Sequence, residues 1–469
     1  MVFSSLLFLY IFLPANLILY YVSGNLLYRN ILLTLFSFFF YAWGEPIWII
    51  LLLFTALFDY GNGLWIEKLN NKAKSKWVVL FSVTVNLGLL VAFKYSGFLY
   101  DNLALFFDLP FERPGVTLPI GISFYTFQTI SYTIDVYRGD VKAQRNPMNF
   151  LLFVSLYHQL VAGPIVRYKT IANEIVGRKF NWDDFSSGIG RFSLGLFKKI
   201  VIANSAGALV DSYLINQFDL LTSPLAWFGI IMFAVQIYFD FSGYSDMAIG
   251  LGRMFGFHYD ENFKNPYAAN SITDFWRRWH ISLSSFFRDY VYIPLGGNKR
   301  GKLRMYLNIL IVWTLTGFWH GASWNFLLWG LYFALLLFVE KSFLLRFYDS
   351  TPKILRYITT LILIVFGWSL FYFDDLTTWV KFCSKLVDFS KIQSVSFYFD
   401  LRQNALWFIL VILFCIPWNE FENIHAKYEA ILKNKFTFSV KILLHIFVLV
   451  ICTAFLLGSS YNPFLYFRF

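Results

Sequence analysis

Two histidines in the second half of the chain, His280 and His320, have the side chains best suited to proton transfer near neutral pH. His320 lies in TLTGFWHGASWNFLLWGLYF, residues 314–333, which is otherwise apolar enough to be buried. An ionisable residue in such a segment is a functional candidate by default, because burying it is costly; the alternative is a core histidine with satisfied hydrogen bonds. Gly317 and Gly321 would permit close approach of a backbone or a ligand. We therefore expect available space beside the His320 imidazole.

His280 belongs to a basic and aromatic island, residues 253–304, in which the long apolar segments stop. Within it, SITDFWRRWHISLSSFFRDYVYI, residues 271–293, has helical character. Ser271 is a plausible N-cap, and Asp274 three residues later makes a weak capping box. The sequence therefore predicts a helix that runs through His280. A purely structural interpretation is an amphipathic helix lying among the cytoplasmic headgroups.

Basic side chains surround the apolar stripe of this predicted helix: Arg277, Arg278 and Arg288. The Gly-rich basic turn LGGNKRGKLR follows it. Such a cluster can simply contact anionic lipid headgroups. Its functional interpretation is a contact for the phosphates of a ligand, and we take the three arginines as candidate phosphate contacts.

A tyrosine, Tyr466, lies in the last eight residues, NPFLYFRF, five of which are aromatic or leucine. An aromatic, nearly uncharged segment is poor material for a disordered end. The alternative to a chemical role is an interfacial aromatic belt, which is ordinary at the ends of membrane spans. Spacing alone favours the belt.

These candidate residues must be positioned by membrane-spanning helices. Of 469 residues, 58% are hydrophobic, 22% aromatic and only 14% charged, whereas soluble domains carry about 25% charged residues. We predict an all-α polytopic integral membrane protein with about 10–12 transmembrane helices plus re-entrant and interfacial pieces. Some segments are too short, or too broken by Gly and Pro, to span alone. The candidate segments are 5–22, 31–43, 47–65, 77–93, 117–136, 148–165, 189–215, 224–250, 306–319, 324–345, 356–373, 404–418 and 439–458.

The orientation in the membrane follows from the basic connections, in which the net charge of +11 is concentrated. KLNNKAKSK, residues 68–76, and the basic stretch 427–441 both indicate cytoplasmic loops by the positive-inside rule. Counting spans from these loops places both termini outside, so the tail 462–469 would start at the extracytoplasmic face. No internal repeat or long linker is found, and we predict a single membrane domain over residues 1–469.

Two acids, Asp240 and Asp246, lie in an otherwise apolar segment, where ionised carboxylates are costly. They could pair with Arg253 or the basic island, or hold a histidine in one tautomer. We favour a structural role. The three cysteines match no zinc or redox spacing, and we predict no metal site.

The motifs in their order resemble the membrane-bound O-acyltransferase (MBOAT) family. FWRRWHISLSSFFRDYVYIPLGG is followed forty residues later by GFWHGASWNFLLWGLYF. LPIGISFYTFQTISYTIDVYRG at 118–139, HQLVAGPIVRY at 158–168 and QIYFDFSGYSDMAIGLGRMFGF at 236–257 agree with it. The set resembles the bacterial, AlgI-like branch concerned with alginate and polysaccharide O-acetylation, and it covers essentially the whole chain.

This resemblance implies a ring of helices around a thin centre, with a tunnel that reaches both histidines. It implies acyl transfer from a thioester to a hydroxyl, with His320 as the catalytic base and His280 as a stabiliser of the oxyanion or an orienting group. Tyr466 would approach His320 from the extracytoplasmic side and accept an acetyl group as a covalent relay. The three arginines would contact the phosphates of the donor.

The resemblance also implies the surroundings of the enzyme. The expected cosubstrate is acetyl-CoA or an acyl-carrier thioester, with no bound cofactor. The expected partners are an exported SGNH-type O-acetyltransferase, the polysaccharide acceptor and membrane lipids, with no nucleic acid. The expected location is the bacterial inner membrane.

Two other functions remain open at this point. The first is a transporter or conduit for an acyl group or glycan without a covalent intermediate, which broken apolar segments and intramembrane acids would fit. Its weakness is the absence of internal symmetry between the halves. The second is an MBOAT enzyme that acts on lipid or protein hydroxyls, and the AlgI-like opening and tail argue against it by resemblance.

Overall fold

The computed structural model describes residues 1–69, 71–109, 112–348, 350–390, 395–418, 435–458 and 465. These residues form helices, turns and loops, and none of them belongs to a β-strand. The α-helices, numbered in chain order, are α1 Leu13–Val22, α2 Leu26–Ala42, α3 Ile49–Leu69, α4 Lys72–Lys94, α5 Ser96–Leu103, α6 Ile122–Arg138, α7 Pro147–Ser155, α8 Tyr157–Leu160, α9 Tyr168–Gly177, α10 Trp182–Phe197, α11 Asn204–Val210, α12 Ser223–Met254, α13 Ile272–Arg278, α14 Ile281–Phe287, α15 Lys302–His320, α16 Trp324–Ser342, α17 Lys353–Tyr372, α18 Leu376–Leu386, α19 Val395–Gln403, α20 Ala405–Cys415 and α21 Lys435–Gly458.

Short π-helical and 3₁₀ segments adjoin these helices. The π-helical turns are Phe8–Phe12, Lys198–Ala203, Asp211–Asn216 and Arg288–Tyr292. The 3₁₀ turns are Phe218–Leu220, Pro266–Ala268 and Leu344–Phe347. Insertions of the π type often lie at functional sites.

Seven helices in the described part of the chain are long and apolar enough to cross a membrane, and the bent pair Phe397–Gln403 with Ala405–Cys415 makes up to eight. The seven are Ile49–Leu69, Lys72–Lys94, Trp182–Asn216, Ser223–Met254, Trp324–Ser342, Lys353–Tyr372 and Val440–Gly458. The protein is therefore a multi-pass, all-α membrane protein, as predicted.

The number of spans that pass this test is lower than the predicted 10–12. Predicted segment 148–165 is divided between α7 and α8, which have nine and four residues. Predicted segment 306–319 lies within α15, Lys302–His320, which is not among the seven helices that pass. Phe8–Val22 and Leu26–Ala42 are apolar but shorter than 18 residues. The difference therefore comes from apolar helices that are too short or not apolar enough for the length and composition of a full span.

The chain folds into two compact units. The first comprises residues 1–192 and 244–261, and the second comprises 193–243 and 262–469. Both α10 and α12 contribute a segment to each unit. The predicted single domain over 1–469 stays a prediction.

The first unit is stabilised by satisfied polar groups inside its helices. Asp59 in α3 is fully buried and accepts hydrogen bonds from Ser82, Asn86 and Asn62 at 2.6–3.1 Å. A buried carboxylate with three donors is a structural element, because each donor offsets part of its lost hydration. Outside the spans, His258 contacts the carboxylates of Glu174 at 2.7 Å and Asp184 at 3.3 Å.

The second unit contains a core rich in aromatic rings, and both candidate histidines belong to this unit. Trp329 and Trp368 are each 1% exposed and lie with near-parallel rings 6.1 Å apart. Trp276 meets Trp313 edge-on at 4.6 Å. Rigid, close-packed aromatic side chains fix the positions of the helix ends around them, and two of these ends carry His280 and His320.

Candidate active site

His280 lies at a break between two helices, so the predicted single helix over 271–293 is wrong at this point. The N-cap prediction is right: the Ser271 hydroxyl accepts the N–H of Asp274 at 3.0 Å. However, α13 ends at Arg278, and His280 adopts φ 45° and ψ 55° before α14 begins. Non-glycine residues seldom occupy this left-handed region, and the strain persists only where the surroundings hold it.

Asn262 holds His280 in this conformation. The Asn262 side-chain oxygen accepts the backbone N–H of Ser282 at 3.2 Å and lies 3.1 Å from His280 Nδ1. The Asn262 carbonyl accepts the N–H of Ile281 at 3.0 Å. Because a backbone N–H can only donate, the Asn262 atom between Ser282 and His280 must be the oxygen. His280 Nδ1 must then carry the proton, which leaves the lone pair on Nε2.

The environment of His280 keeps its imidazole neutral. The ring is 1% exposed and packs edge-on against Phe241, with centroids 4.7 Å apart. Burial lowers the pKa of His280 to about 3. Among the described residues, Nε2 has no hydrogen-bond partner, which is rare for a buried polar atom. This nitrogen can accept a proton or a hydrogen bond, whereas donation to an oxyanion would require the other tautomer.

Glu340 fixes the start of the helix that leads to His280. This residue of α16 is 4% exposed, and its carboxylate accepts the N–H of Ile272 at 2.7 Å and of Thr273 at 3.2 Å. The first N–H groups of a helix lack intrahelical partners and attract negative charge. Glu340 therefore ties α13 to α16, although the residues are 68 positions apart in the chain.

His320 is the last residue of α15 and is 7% exposed. Its ring lies edge-on to Trp329 at 5.0 Å and to Phe371 at 5.1 Å. The surrounding aromatic rings fix the orientation of the imidazole by packing. This arrangement places a titratable ring at a helix end inside the aromatic core of the second unit.

The glycines beside His320 serve the packing of α15 against α16. A Cβ on Gly317 would lie 2.4 Å from the carbonyl oxygen of Phe326, and one on Gly321 would lie 2.2 Å from the Phe326 ring. A Cβ on Gly330 would likewise lie 2.3 Å from the Trp313 carbonyl oxygen. Of the two uses expected for Gly317 and Gly321, the structure shows close approach of protein rather than space for a ligand on that side.

One cavity of about 290 Å³ brings His280 and His320 together. Arg277, Arg288 and Lys341 also line it. The remaining lining is mostly apolar and aromatic: Trp276, Trp279, Leu283, Phe287, Tyr292, Ile309, Val312, Trp313 and Leu337, with Thr273, Ser284 and Thr316. Small-molecule sites typically combine apolar walls with a few convergent polar groups and begin at about 300 Å³. The cavity thus offers two imidazoles for proton transfer and three cations for an anionic group.

The three arginines expected at this site do not all line the cavity. Arg277 and Arg288 do, and Arg288 also pairs with Asp289 at 2.8 Å. Arg278 is not among the lining residues and bonds Asp274 at 2.9 Å within α13. Lys341 at the end of α16 was not recognised from the sequence.

A second cavity in the same unit is larger, at about 770 Å³, but it lacks the chemistry of the first. Its lining is mainly apolar, with Lys353, Tyr357, Tyr267 and Cys415 as its less apolar members. It contains no histidine or carboxylate among the described residues that line it. Volume alone does not identify an active site, and the cavity with both histidines is the better candidate.

Tyr466 lies outside the described residues, so its predicted approach to His320 stays a prediction. Leu465 is described, and it is 6% exposed within the core of the second unit. Its N–H donates to Asp240 Oδ2 at 2.8 Å, and Asp240 Oδ1 lies 2.6 Å from Lys199 Nζ. The sequence analysis therefore did not identify the contact between Asp240 and Leu465, nor the contacts of Asn262 and Glu340.

The second acid of α12 has a different partner. Asp246 pairs with Arg191 at 2.6 Å in the first unit, and Arg191 also pairs with Glu261 at 2.5 Å. A carboxylate bonded to a guanidinium in this way is a satisfied ion pair. This geometry agrees with the structural role expected for Asp246. Its partner is Arg191, whereas Arg253 was one of the partners expected from the sequence.

Comparison with known sequences gives a consistent result. The pattern of the membrane-bound O-acyltransferase family, MBOAT, matches residues 141–380. This range includes both histidines and every residue that lines the cavity they share. The match thus falls on the part of the chain that builds the candidate site.

Relatives extend the similarity to most of the chain. The probable alginate O-acetylase AlgI of Pseudomonas syringae pv. tomato is 43% identical over 382 residues, which are 80% of this chain and 73% of the relative. A peptidoglycan O-acetyltransferase of Helicobacter pylori is 35% identical over 422 residues, 82% of this chain and 80% of the relative. A teichoic acid D-alanyltransferase of Bacillus subtilis is 28% identical over 240 residues, 47% of this chain and 60% of the relative.

Proposed function

This chain belongs to the membrane-bound O-acyltransferase family and is a multi-pass acyltransferase, and on that basis we propose its reaction. It passes an acetyl group from a cytoplasmic thioester, acetyl-CoA or an acylated carrier protein, across the bacterial inner membrane. The acetyl group serves O-acetylation of a cell-envelope or exported polysaccharide. An exported SGNH-type acetyltransferase completes the transfer on the outer side, where the C-terminus of this chain also lies.

The observation that carries this proposal is the single cavity shared by His280, His320 and three cationic side chains. An acyl donor of this kind has an anionic phosphate part and a neutral thioester. Arg277, Arg288 and Lys341 complement the phosphates, and the apolar walls suit the linear arm that carries the thioester. Relatives with names that specify O-acetylation of alginate and peptidoglycan support acetyl as the group and a polysaccharide as the acceptor.

In the first step, His320 acts as the base. It takes the proton of the Tyr466 phenol, and the phenolic oxygen attacks the thioester carbonyl carbon. A C–O bond forms and the C–S bond breaks, and the proton returns from His320 to the thiolate that leaves. His280 accepts a hydrogen bond at Nε2 and so orients the reacting groups.

In the second step, the acceptor hydroxyl, which belongs to the exported partner or to a glycan, attacks the acetyl ester on Tyr466. A new C–O bond forms to the acceptor, and the bond to the phenolic oxygen breaks. His320 takes the proton of the attacking hydroxyl and transfers it to the departing phenolate. Because the phenol pKa is near 10, phenolate leaves more easily than an aliphatic alkoxide, and the tyrosine is regenerated.

Polysaccharide acetylation in cells tests the proposal, at matched membrane levels of each variant. We expect His320→Ala and Tyr466→Phe both to abolish it, because the phenylalanine removes only the hydroxyl. His445→Ala on α21 and Tyr398→Phe on α19 are the matched controls and should retain wild-type acetylation. Loss with His320→Ala but retention with Tyr466→Phe would show that the tail does not carry the acetyl group. Retention in both would overturn the proposed chemistry.

A further inference from the structure

We propose that Asp240 is the docking group for the C-terminal tail: its carboxylate accepts the Leu465 N–H and thereby anchors Leu465 in the core of the second unit. The catalytic consequence of this docking rests on the proposed function. The docking itself does not, since it follows from contacts within the second unit.

The contact geometry is that of a built acceptor site. Asp240 is 3% exposed, and its two oxygens have different partners: Lys199 Nζ at 2.6 Å on Oδ1 and the Leu465 N–H at 2.8 Å on Oδ2. A backbone N–H bonded to an ionised acceptor makes one of the stronger hydrogen bonds in proteins. The Leu465 side chain is buried in the core of the second unit, so Leu465 is held by a polar contact and an apolar one.

Lys199 and Asp240 form a buried ion pair, an arrangement that costs stability. The ammonium side chain is 3% exposed and the carboxylate side chain 4%, and removing both charges from water costs more than an apolar pair of similar size would. Lys199 also lies in the π-helical turn Lys198–Ala203, a feature enriched at functional sites. Its position is fixed by tight packing, because a Cβ on Gly243 of α12 would lie 2.8 Å from the Gly195 carbonyl oxygen. A costly pair in a specialised turn indicates a role beyond stability.

Asp240 precedes a residue of α12 that contacts His280. The next residue in α12, Phe241, packs edge-on against the His280 ring at 4.7 Å. Docking of Leu465 therefore takes place one residue along α12 from the side chain that packs against His280. In the chain, Tyr466 follows Leu465 by one peptide unit, about 3.8 Å along the backbone. Anchoring Leu465 thus limits where the phenol can lie, which makes Asp240 a positioning residue.

Two double variants separate the effect of the acceptor oxygen at residue 240 from the effect of the Lys199 and Asp240 charges. Lys199→Met/Asp240→Asn removes both charges but retains an acceptor oxygen, whereas Lys199→Met/Asp240→Leu removes both charges and the acceptor. Replacement of a buried ion pair by apolar residues of similar volume is often tolerated, so both should fold, and thermal unfolding checks this. Arg191→Met/Asp246→Asn is the control, because it removes the ion pair of the other acid of α12, whose partner Arg191 is partly exposed.

The readout is maleimide labelling of Leu465→Cys in purified full-length protein without its three native cysteines. We expect Cys-directed labelling to be slow in the parent, in the Asn double variant and in the control. In the Leu double variant it should be about tenfold faster or more, the change that follows the loss of one hydrogen bond to a charged group. Equal protection in the Leu double variant would overturn docking by Asp240, and so would equally fast labelling in both Asp240 variants.

Acetylation measured on the same variants without the added cysteine separates this inference from the proposed function. If the tail becomes accessible while acetylation persists, the docking stands and acyl transfer does not depend on it. If the tail stays protected while acetylation is lost, the docking fails and the proposed chemistry is untouched. Loss of both in the Leu variant, with retention of both in the Asn variant, supports docking as the step that positions the tail.

Discussion

Replacement of Glu340 by alanine removes the acceptor for two backbone N–H groups at the start of α13. These groups belong to Ile272 and Thr273, at 2.7 and 3.2 Å from the carboxylate, and Glu340 is 4% exposed. Hydrogen bonds to charged groups contribute about 1.5–3 kcal/mol each, and an unmade one leaves a buried donor unsatisfied. We therefore expect Glu340→Ala to lower the free energy of unfolding by about 3–5 kcal/mol.

The same substitution should reduce activity more than it reduces the amount of folded protein. Helix α13 carries Arg277, a lining residue of the cavity, and ends two residues before His280. Release of its first turn from α16 frees both residues from their fixed positions. Glu340→Gln retains an acceptor oxygen and should cost only about 1–2 kcal/mol, with a smaller loss of acetyl transfer.

Thermal unfolding of purified protein and acetyl transfer at a temperature where all variants are folded measure the two effects. Glu67→Ala is the control: Glu67 is a carboxylate on α3 that pairs with Arg145 at 3.3 Å, and the Arg145 side chain is 83% exposed. A surface pair of this kind contributes at most about 1 kcal/mol. The reasoning is refuted if Glu340→Ala unfolds at the temperature of the wild type, or if the Gln and Ala variants are equally destabilised.

Three further perturbations have defined outcomes. His280→Asn should have a free energy of unfolding about 1–2 kcal/mol higher than that of His280→Ala, because asparagine tolerates the left-handed conformation better than alanine. Thermal unfolding measures the order of the two variants, and the opposite order would contradict backbone strain at residue 280. Gly317→Ala should cost about 1–3 kcal/mol by overpacking against the Phe326 carbonyl oxygen, whereas Gly61→Ala, with open space around it, should not destabilise, as thermal unfolding will test. Burial opposes a rise in the pKa of His258, but its two carboxylate partners outweigh it and raise that pKa above the ordinary value. The contribution of His258 to stability is therefore full below pH about 6.5 and is lost as pH rises through the raised pKa. In urea titrations, the difference in free energy of unfolding between the wild type and His258→Gln should shrink above neutral pH. A difference that grows above neutral pH would contradict this prediction.

The start of α13 shows what local sequence determines. Ser271 with Asp274 three residues later predicts the N-cap, and the structure has this hydrogen bond. The end of the helix was not predictable, since nothing in the residues around His280 forbids a helix. The break depends on Asn262, which is 18 residues away in the chain. Its carbonyl accepts the N–H of Ile281 and its side-chain oxygen accepts the N–H of Ser282, whereas a continuous helix would bond both N–H groups internally.

The site residues divide in the same way. His280 and His320 are recognisable because ionisable side chains are costly in apolar segments, and the motifs around them identify the family. Lys341 and Glu340 carry no such local signal of a role, because a charged pair at the end of an apolar helix is ordinary. Only the packing of α16 against α13 gives Glu340 its two donors and brings Lys341 to the cavity.

The sequence by itself determined that the chain is a multi-pass helical membrane acyltransferase, because composition, apolar segments and motif order are properties of short stretches and their succession. The tertiary structure alone decided that the two histidines share a cavity, that Asn262 keeps the proton of His280 on Nδ1, and that Leu465 bonds Asp240 across 225 positions. The physical reason is that a buried polar group must find its partner wherever packing brings one. Such partners are set by contacts in space, which the order of residues along the chain does not record.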